Sequence, residues 1–206
     1  LLMTNFYLVV LLTGAERLKI AYIMIIWAEL LSGNKGRVMA GLSPLAHLQN
    51  FIMMPSLLLA SFSDSIRQLL IYGKFKLHFV SSVIILTLFS AFLFAVLYEG
   101  VINKAMHYIS RNASWYEMWK LALLAMLAIL VTRNRWRMCL VLIPLFPAVY
   151  LLGGIRVNMI AITLVIYFLM QERVLNHPLV LLLLTYFSIK SVSFIRNIYL
   201  YGNGFV

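Results

Sequence analysis

Long apolar runs alternate along this chain with short polar punctuation. Helix-length apolar stretches lie near 1–12, 18–32, 44–62, 79–98, 115–132, 138–152, 155–171 and 178–195. A helix that crosses a bilayer needs about 20 such residues, within a range of about 17–25. The clearest stretch is 79–98, FVSSVIILTLFSAFLFAVLY, which holds no charged residue. Its Ser, Thr and Ala positions are of the kind that let helices approach closely in lipid. Stretch 115–132 opens on Trp115, Tyr116 and Trp119, an aromatic belt for a membrane–water interface. Stretch 44–62 carries Pro44, His47, Gln49, Asn50 and Pro55, so it reads as a polar-marked, broken helix. Stretch 138–152 holds Pro144 and Pro147, which predict a kink whose freed carbonyls need other partners. Stretch 1–12 is expected to be a partial span whose beginning is missing.

The punctuation is short. GNKGR at 33–37 and the Gly153-Gly154 pair predict sharp turns, Arg133–Arg137 (RNRWR) a tight basic turn, and 172–177 another turn. Residues 63–78 mix charge with Leu, Ile, Tyr and Phe and read as an interfacial connector whose cations reach headgroups. The longest polar connection is 99–116, and RNIYLYGNGFV forms a tail. No repeat and no interdomain linker interrupt the series. The expected fold is all-α: a single helical domain over 1–206, a polytopic membrane protein with about six to seven transmembrane segments, some broken or kinked.

Composition strengthens this reading. Apolar and aromatic residues make up 64% of the chain and charged residues 11%, against about 45–50% and about 25% in ordinary soluble domains. The mean hydropathy is +0.97. A soluble globule of 206 residues lacks the interior to hide that much apolar surface. A soluble enzyme, a disordered tail and a secreted disulfide scaffold are excluded. The one cysteine, Cys139, lies in an apolar run and is expected to be a small buried core residue.

Lys and Arg number 17 against 6 Asp and Glu, a net charge of +11. On a soluble chain this would suggest nucleic acid. Here positive-inside bias and anionic headgroups account for it, and no nucleic-acid partner is expected. If the 133–137 turn is cytoplasmic, alternation places 13–19, 63–78 and 172–177 on the same side. Arg17, Lys19, Arg67, Lys74, Lys76, Arg133, Arg135, Arg137 and Arg173 are then inside. Lys35, Arg37, Lys104, Arg111, Lys120, Arg156 and Arg196 are outside, opposed by Glu99 and Glu117, with Glu29 near the edge. The bias has the expected sign but is small, which leaves an unusual number of cations on the outer face.

There is no P-loop, no H-E-x-x-H, no Cys/His cluster with metal-ligand spacing and no G-x-S-x-G. No cofactor and no metal are expected. The candidates that remain are polar residues at membrane depth or at span ends, where an ionisable side chain costs about 2.5–3.5 kcal/mol at a helix centre. Arg156 follows the glycine pair, and a helix places Met159, Ile160, Thr163 and Tyr167 on its face. Its guanidinium suits bidentate phosphate binding; the alternative is an arginine that snorkels to headgroups. Lys190 lies well inside the last span beneath Arg196, either functional or in an internal ion pair. His47 is either a packing residue or a base, and the three arginines of RNRWR read more readily as a topology anchor than as a site.

Gly153-Gly154-Ile155-Arg156-Val157-Asn158-Met159 resembles the "G-x-R-x-N" element that opens a late span in bacterial polysaccharide polymerases, the Wzy-type O-antigen and EpsG-like exopolysaccharide enzymes. Lys190-Ser191-Val192-Ser193-Phe194-Ile195, Tyr201-Gly202-Asn203-Gly204-Phe205 and Leu42-Ser43-Pro44-Leu45-Ala46-His47 resemble further pieces of the same family. The resemblance touches about half the chain, and family members are usually longer. It implies a multi-pass enzyme of the bacterial inner membrane in O-antigen, lipopolysaccharide or exopolysaccharide biosynthesis. Such an enzyme transfers a glycan from undecaprenyl pyrophosphate to a new lipid-linked repeat unit at the periplasmic face. The implied partners are that undecaprenyl-pyrophosphate-linked oligosaccharide, the lipid bilayer and a chain-length regulator protein. On this reading Arg156 and Arg196 hold the pyrophosphate, with Asn158 beside them. Lys190 shapes the same pocket, His47 is the base for the acceptor hydroxyl, and Tyr108 of the 99–116 connection stacks on sugar. A non-enzymatic transporter or assembly subunit and an O-antigen ligase are the competing readings. An internal repeat would mark the first; the second would share the cavity.

Overall fold

The computed structural model describes residues 4–14, 16–31, 42–43, 50–73 and 115–202, with single positions 36, 39, 84, 95 and 106. The described residues form helices and turns and contain no strand, in agreement with an all-α fold. The helices are α1 (Phe6–Gly14), α2 (Glu16–Leu30), α3 (Asn50–Ser61), α4 (Ser63–Tyr72), α5 (Trp115–Val131), α6 (Arg135–Leu142), α7 (Leu145–Leu152), α8 (Gly154–Gln171) and α9 (Pro178–Tyr201). The expected span 79–98 falls outside the described residues apart from positions 84 and 95.

Two compact units divide the chain. The first comprises Leu1–Met54, Leu130–Arg133 and Val165–Val206. Asn5 opens α1: its side-chain oxygen accepts a hydrogen bond from the Tyr7 amide at 3.0 Å, which satisfies one of the four amides a helix start leaves unpaired. Helix α1 packs on α9 and on α2. Phe6 meets Phe194 edge-on at 5.5 Å, and Tyr7 meets Phe187 at 5.1 Å. The Ser191 hydroxyl, buried in the same seam, lies 2.7 Å from the Thr4 carbonyl. At the other end of α1, the Lys19 ammonium donates to the Leu12 carbonyl at 2.7 Å, so a cation covers the negative end of that helix.

The second unit comprises Pro55–Ile129 and Asn134–Leu164. Helix α4 packs on α6, and α6 on α7. The Trp136 indole N–H donates to the Ser63 carbonyl at 3.2 Å. Leu121, Leu142, Leu145, Ile160 and Leu164 are among its fully buried side chains.

Local chemistry explains where the elements end and where the sequence expectations need correction. The expected 138–152 span is two helices of eight residues each, joined through Ile143 and Pro144, which both keep right-handed helical angles, so the join is a kink. Pro144 has no N–H to continue α6. It sits instead at the N-cap of α7, while Pro147 falls in the first turn of α7, where its missing donor is harmless. The basic turn is shorter than RNRWR. Only Thr132–Asn134 is non-helical, and Asn134 caps α6 by accepting from the Arg137 amide at 3.1 Å. The final helix runs past 195 to Tyr201, because the first residue that readily adopts a left-handed conformation is Gly202, at φ 68°. Residues 63–72 of the expected connector form a regular helix closed by Gly73 at φ 63°. Cys139 is half-buried rather than fully enclosed.

Among the described residues one helix, α9, is long and apolar enough to cross a membrane, and only 28% of its most apolar stretch is buried. Shorter apolar helical stretches are Lys19–Ala28, Met118–Val131 and Val157–Gln171.

Candidate functional site

The site is built around the start of α8. Gly153 has φ 88° and ψ 146°, a conformation essentially restricted to glycine. Its amide donates to the Val149 carbonyl at 3.1 Å and closes α7. Helix α8 begins at the next residue, so the glycine pair marks a break between two helices. It places Arg156 in the first turn of α8 and Asn158 just beyond it.

Asn158 is 3% exposed, and its side-chain carbonyl oxygen has no hydrogen-bond partner among the described residues. An unmet buried acceptor costs about 1–3 kcal/mol, so the protein either tolerates that loss or fills the position with a donor. The rest of the face drawn from Arg156 is not open. Met159 and Ile160 are buried. Thr163 spends its hydroxyl on the Met159 carbonyl at 2.9 Å, and the Tyr167 hydroxyl accepts from Gln171 at 2.7 Å. Gly153, Gly154, Val157 and Asn158 are buried as well, so the polar group left over among the described residues of this helix start is the Asn158 side-chain oxygen.

Lys190 and Arg196 belong to the first unit, Arg156 and Asn158 to the second. Lys190 is exposed, and its ammonium lies 4.8 Å from the centre of the Phe6 ring. Arg196 is also exposed. Six residues of α-helix separate these two by about 9 Å along the axis and about 120° around it. Arg196 therefore stands on a different side of α9 from Lys190, not above it. His47 and Tyr108 lie outside the described residues.

Three features were not singled out from the sequence. Asn50 is fully buried with both ends of its amide unmet, and the buried Ser56 hydroxyl is likewise without a partner. Asn50 was visible only as one polar mark in an apolar run, and Ser56 gave no signal. The third is Glu172. Its carboxylate accepts from the Thr132 hydroxyl and the Arg133 amide, both at 2.6 Å, and ties two turns that alternation places on the same side. Among the described residues no three His, Cys, Asp or Glu side chains gather as a metal site would require. No family model matches the chain, and comparisons with curated proteins and with solved structures give no match.

Proposed function

We propose that the chain is a polytopic protein of the bacterial inner membrane that polymerises lipid-linked oligosaccharide repeat units. The membrane part of this reading rests on the exposed faces of three helices. Ile20, Ile23, Ile26 and Trp27 form an exposed stripe on α2; Trp119, Leu123, Met126 and Leu130 do so on α5, and Leu182, Tyr186, Ile189 and Val192 on α9. Each of these helices is apolar on its buried side too. A helix in water carries a polar face opposite its apolar one. Moving this dozen side chains from water to lipid is worth on the order of 20 kcal/mol at about 1.5–3 kcal/mol each, more than the whole stability of a typical domain.

The catalytic part rests on one observation above all: the unmet side-chain oxygen of buried Asn158, one residue removed from Arg156 in the G-x-R-x-N pattern. An acceptor of that kind suits a sugar hydroxyl. In the proposed reaction the acceptor hydroxyl oxygen forms a bond to the anomeric carbon of the donor glycan. The bond from that carbon to undecaprenyl pyrophosphate breaks, and the electron pair leaves with the pyrophosphate. The hydroxyl proton passes to His47. Charge develops on the leaving group, so a fixed guanidinium there lowers the barrier, the role given to Arg156. No cofactor is required by this chemistry.

The test is complementation of a strain lacking its polymerase, read as a lipopolysaccharide ladder with protein quantified by blot. Arg156→Ala is expected to leave normal protein and collapse the ladder to a single repeat. Asn158→Ala is expected to shorten it, since loss of one hydrogen bond to a bound group costs roughly tenfold. A full ladder from Arg156→Ala makes that residue a headgroup anchor. If the wild-type chain is present and makes no ladder, the non-enzymatic reading takes precedence.

A further inference from the structure

Two segments that the sequence keeps 60 residues and more apart come together in the second unit: α4 and the beginning of α6. The joint is the Trp136 indole, which donates to the Ser63 carbonyl at the first turn of α4. Arg135 and Arg137 flank that tryptophan, Arg135 exposed and Arg137 half-buried. Arg67 lies one turn into α4 and is exposed, about 6 Å along the axis from Ser63. Asp64 is the one acid of α4. The cations therefore outnumber it, and Lys74 and Lys76 follow in the sequence.

Helix α4 is amphipathic in the manner of a helix that lies along a surface. Ile66, Leu69 and Leu70 share one side, and Asp64, Arg67 and Gln68 the other. Leu70 is 68% exposed while Ile66 and Leu69 are half-buried, so the protein covers the apolar side only in part. With only ten residues, α4 is too short to cross a bilayer. An apolar side for the acyl boundary, arginines at its edge and a tryptophan at the same level are the features of an interfacial segment.

We infer that α4 and the Arg135–Arg137 turn form one binding site for anionic phospholipid headgroups. The arginines hold the phosphate, Leu70 enters the acyl boundary, and the Trp136–Ser63 hydrogen bond fixes the two segments as a unit. This rests on the membrane part of the proposed function and not on the polymerase part. The partner is a lipid rather than a soluble phosphate, because phosphate alone gives the exposed apolar side of α4 nothing to cover it.

The experiment uses the full chain in neutral detergent micelles. Phosphatidylglycerol, phosphatidylcholine and glycerol 3-phosphate are titrated separately, and bound molecules are counted by native mass spectrometry. Phosphatidylglycerol is expected to bind tightest and glycerol 3-phosphate not at all over the same range. The exposed pair R67Q/R135Q should weaken phosphatidylglycerol binding roughly 30-fold, and R67K/R135K should recover most of it. Equal binding of the two lipids, unchanged binding by R67Q/R135Q, or capture of glycerol 3-phosphate as tight as the lipid would each overturn the inference. A chain that binds phosphatidylglycerol as expected yet makes no glycan ladder would leave this site standing and remove the polymerase.

Discussion

Replacing Gly153 with alanine tests whether the start of α8 depends on a backbone conformation reserved for glycine. At φ 88° and ψ 146° a Cβ meets the adjacent backbone, and strain of this kind costs on the order of 1–3 kcal/mol. Alanine has less freedom in the unfolded chain, which offsets about 0.4–1 kcal/mol of it. Gly153 is also buried, so the added methyl needs room, and overpacking adds about 1–3 kcal/mol. The expected net loss is roughly 2–4 kcal/mol. Gly202→Ala supplies the comparison. Gly202 has φ 68°, and a Cβ there would meet nothing within 4 Å, so it carries the backbone cost alone, about 1 kcal/mol. Both variants are measured by equilibrium unfolding in mixed micelles, followed by circular dichroism. The chain can also relieve the strain at 153 by rotating to negative φ, which would redirect the first turn of α8. The glycan ladder should therefore shorten for Gly153→Ala and keep its length for Gly202→Ala. A Gly153→Ala protein that unfolds at the same denaturant concentration as the parent would refute the conformational argument, and with it the account of how Arg156 and Asn158 are placed.

Two further predictions concern the turn after α8. Glu172→Ala removes the acceptor for the Thr132 hydroxyl and the Arg133 amide. It should cost on the order of 2 kcal/mol and speed hydrogen exchange at the Arg133 amide, with Glu172→Gln losing less; unchanged exchange in the alanine variant would show the tether to be idle. Arg173 has φ 57°, and the Arg173 and Val174 amides reach back to the Met170 and Leu169 carbonyls, both at 3.0 Å, a Schellman closure of α8. Arg173→Gly should therefore raise stability by about 0.5–1 kcal/mol, seen as a higher unfolding midpoint, and a lower midpoint would mean that the charge at this helix end outweighs the strain.

Much of the helical layout was legible because apolar run length and glycine positions report on it directly. Stretches 115–132 and 155–171 match α5 and α8 to within a residue at each end, since each is bounded by residues that stop or cap a helix. The remaining differences arise at proline and at the missing stop signal. Pro144 and Pro147 mark the kink between α6 and α7, but which of them falls at a helix start is unknown until the helix ends are. The end of α9 was set at 195 by a change to polar residues, whereas a helix ends where its carbonyls find other partners, here at Gly202. The glycine pair correctly marked the break between α7 and α8, because positive φ is a local requirement. The relation between Lys190 and Arg196 was read from depth along a span and missed the 3.6-residue period, which sets them on different sides of α9. The Trp136–Ser63 and Thr132–Glu172 hydrogen bonds had no sequence signature, since nothing local encodes a contact between distant turns.

On the proposed membrane reading, Lys190 links the environment of α9 to the proposed chemistry. It stands midway along α9, close to the exposed stripe of Leu182, Tyr186, Ile189 and Val192. A lysine near the centre of a membrane helix costs about 2.5–3.5 kcal/mol. The Phe6 ring beneath its ammonium returns about 0.5–2 kcal/mol, the larger figure holding when the pair is desolvated. The ring therefore offsets only part of the cost, and roughly 0.5–3 kcal/mol is left for another partner. Water drawn into the bilayer meets that need without consequence for function. An anionic oxygen of a lipid-linked substrate meets it only while substrate is bound, and so converts the deficit into binding energy. In the proposed polymerase this difference is the reason to keep a lysine on an otherwise apolar face: the cation is held in place by Phe6 and gains a partner when an anionic oxygen of the substrate arrives.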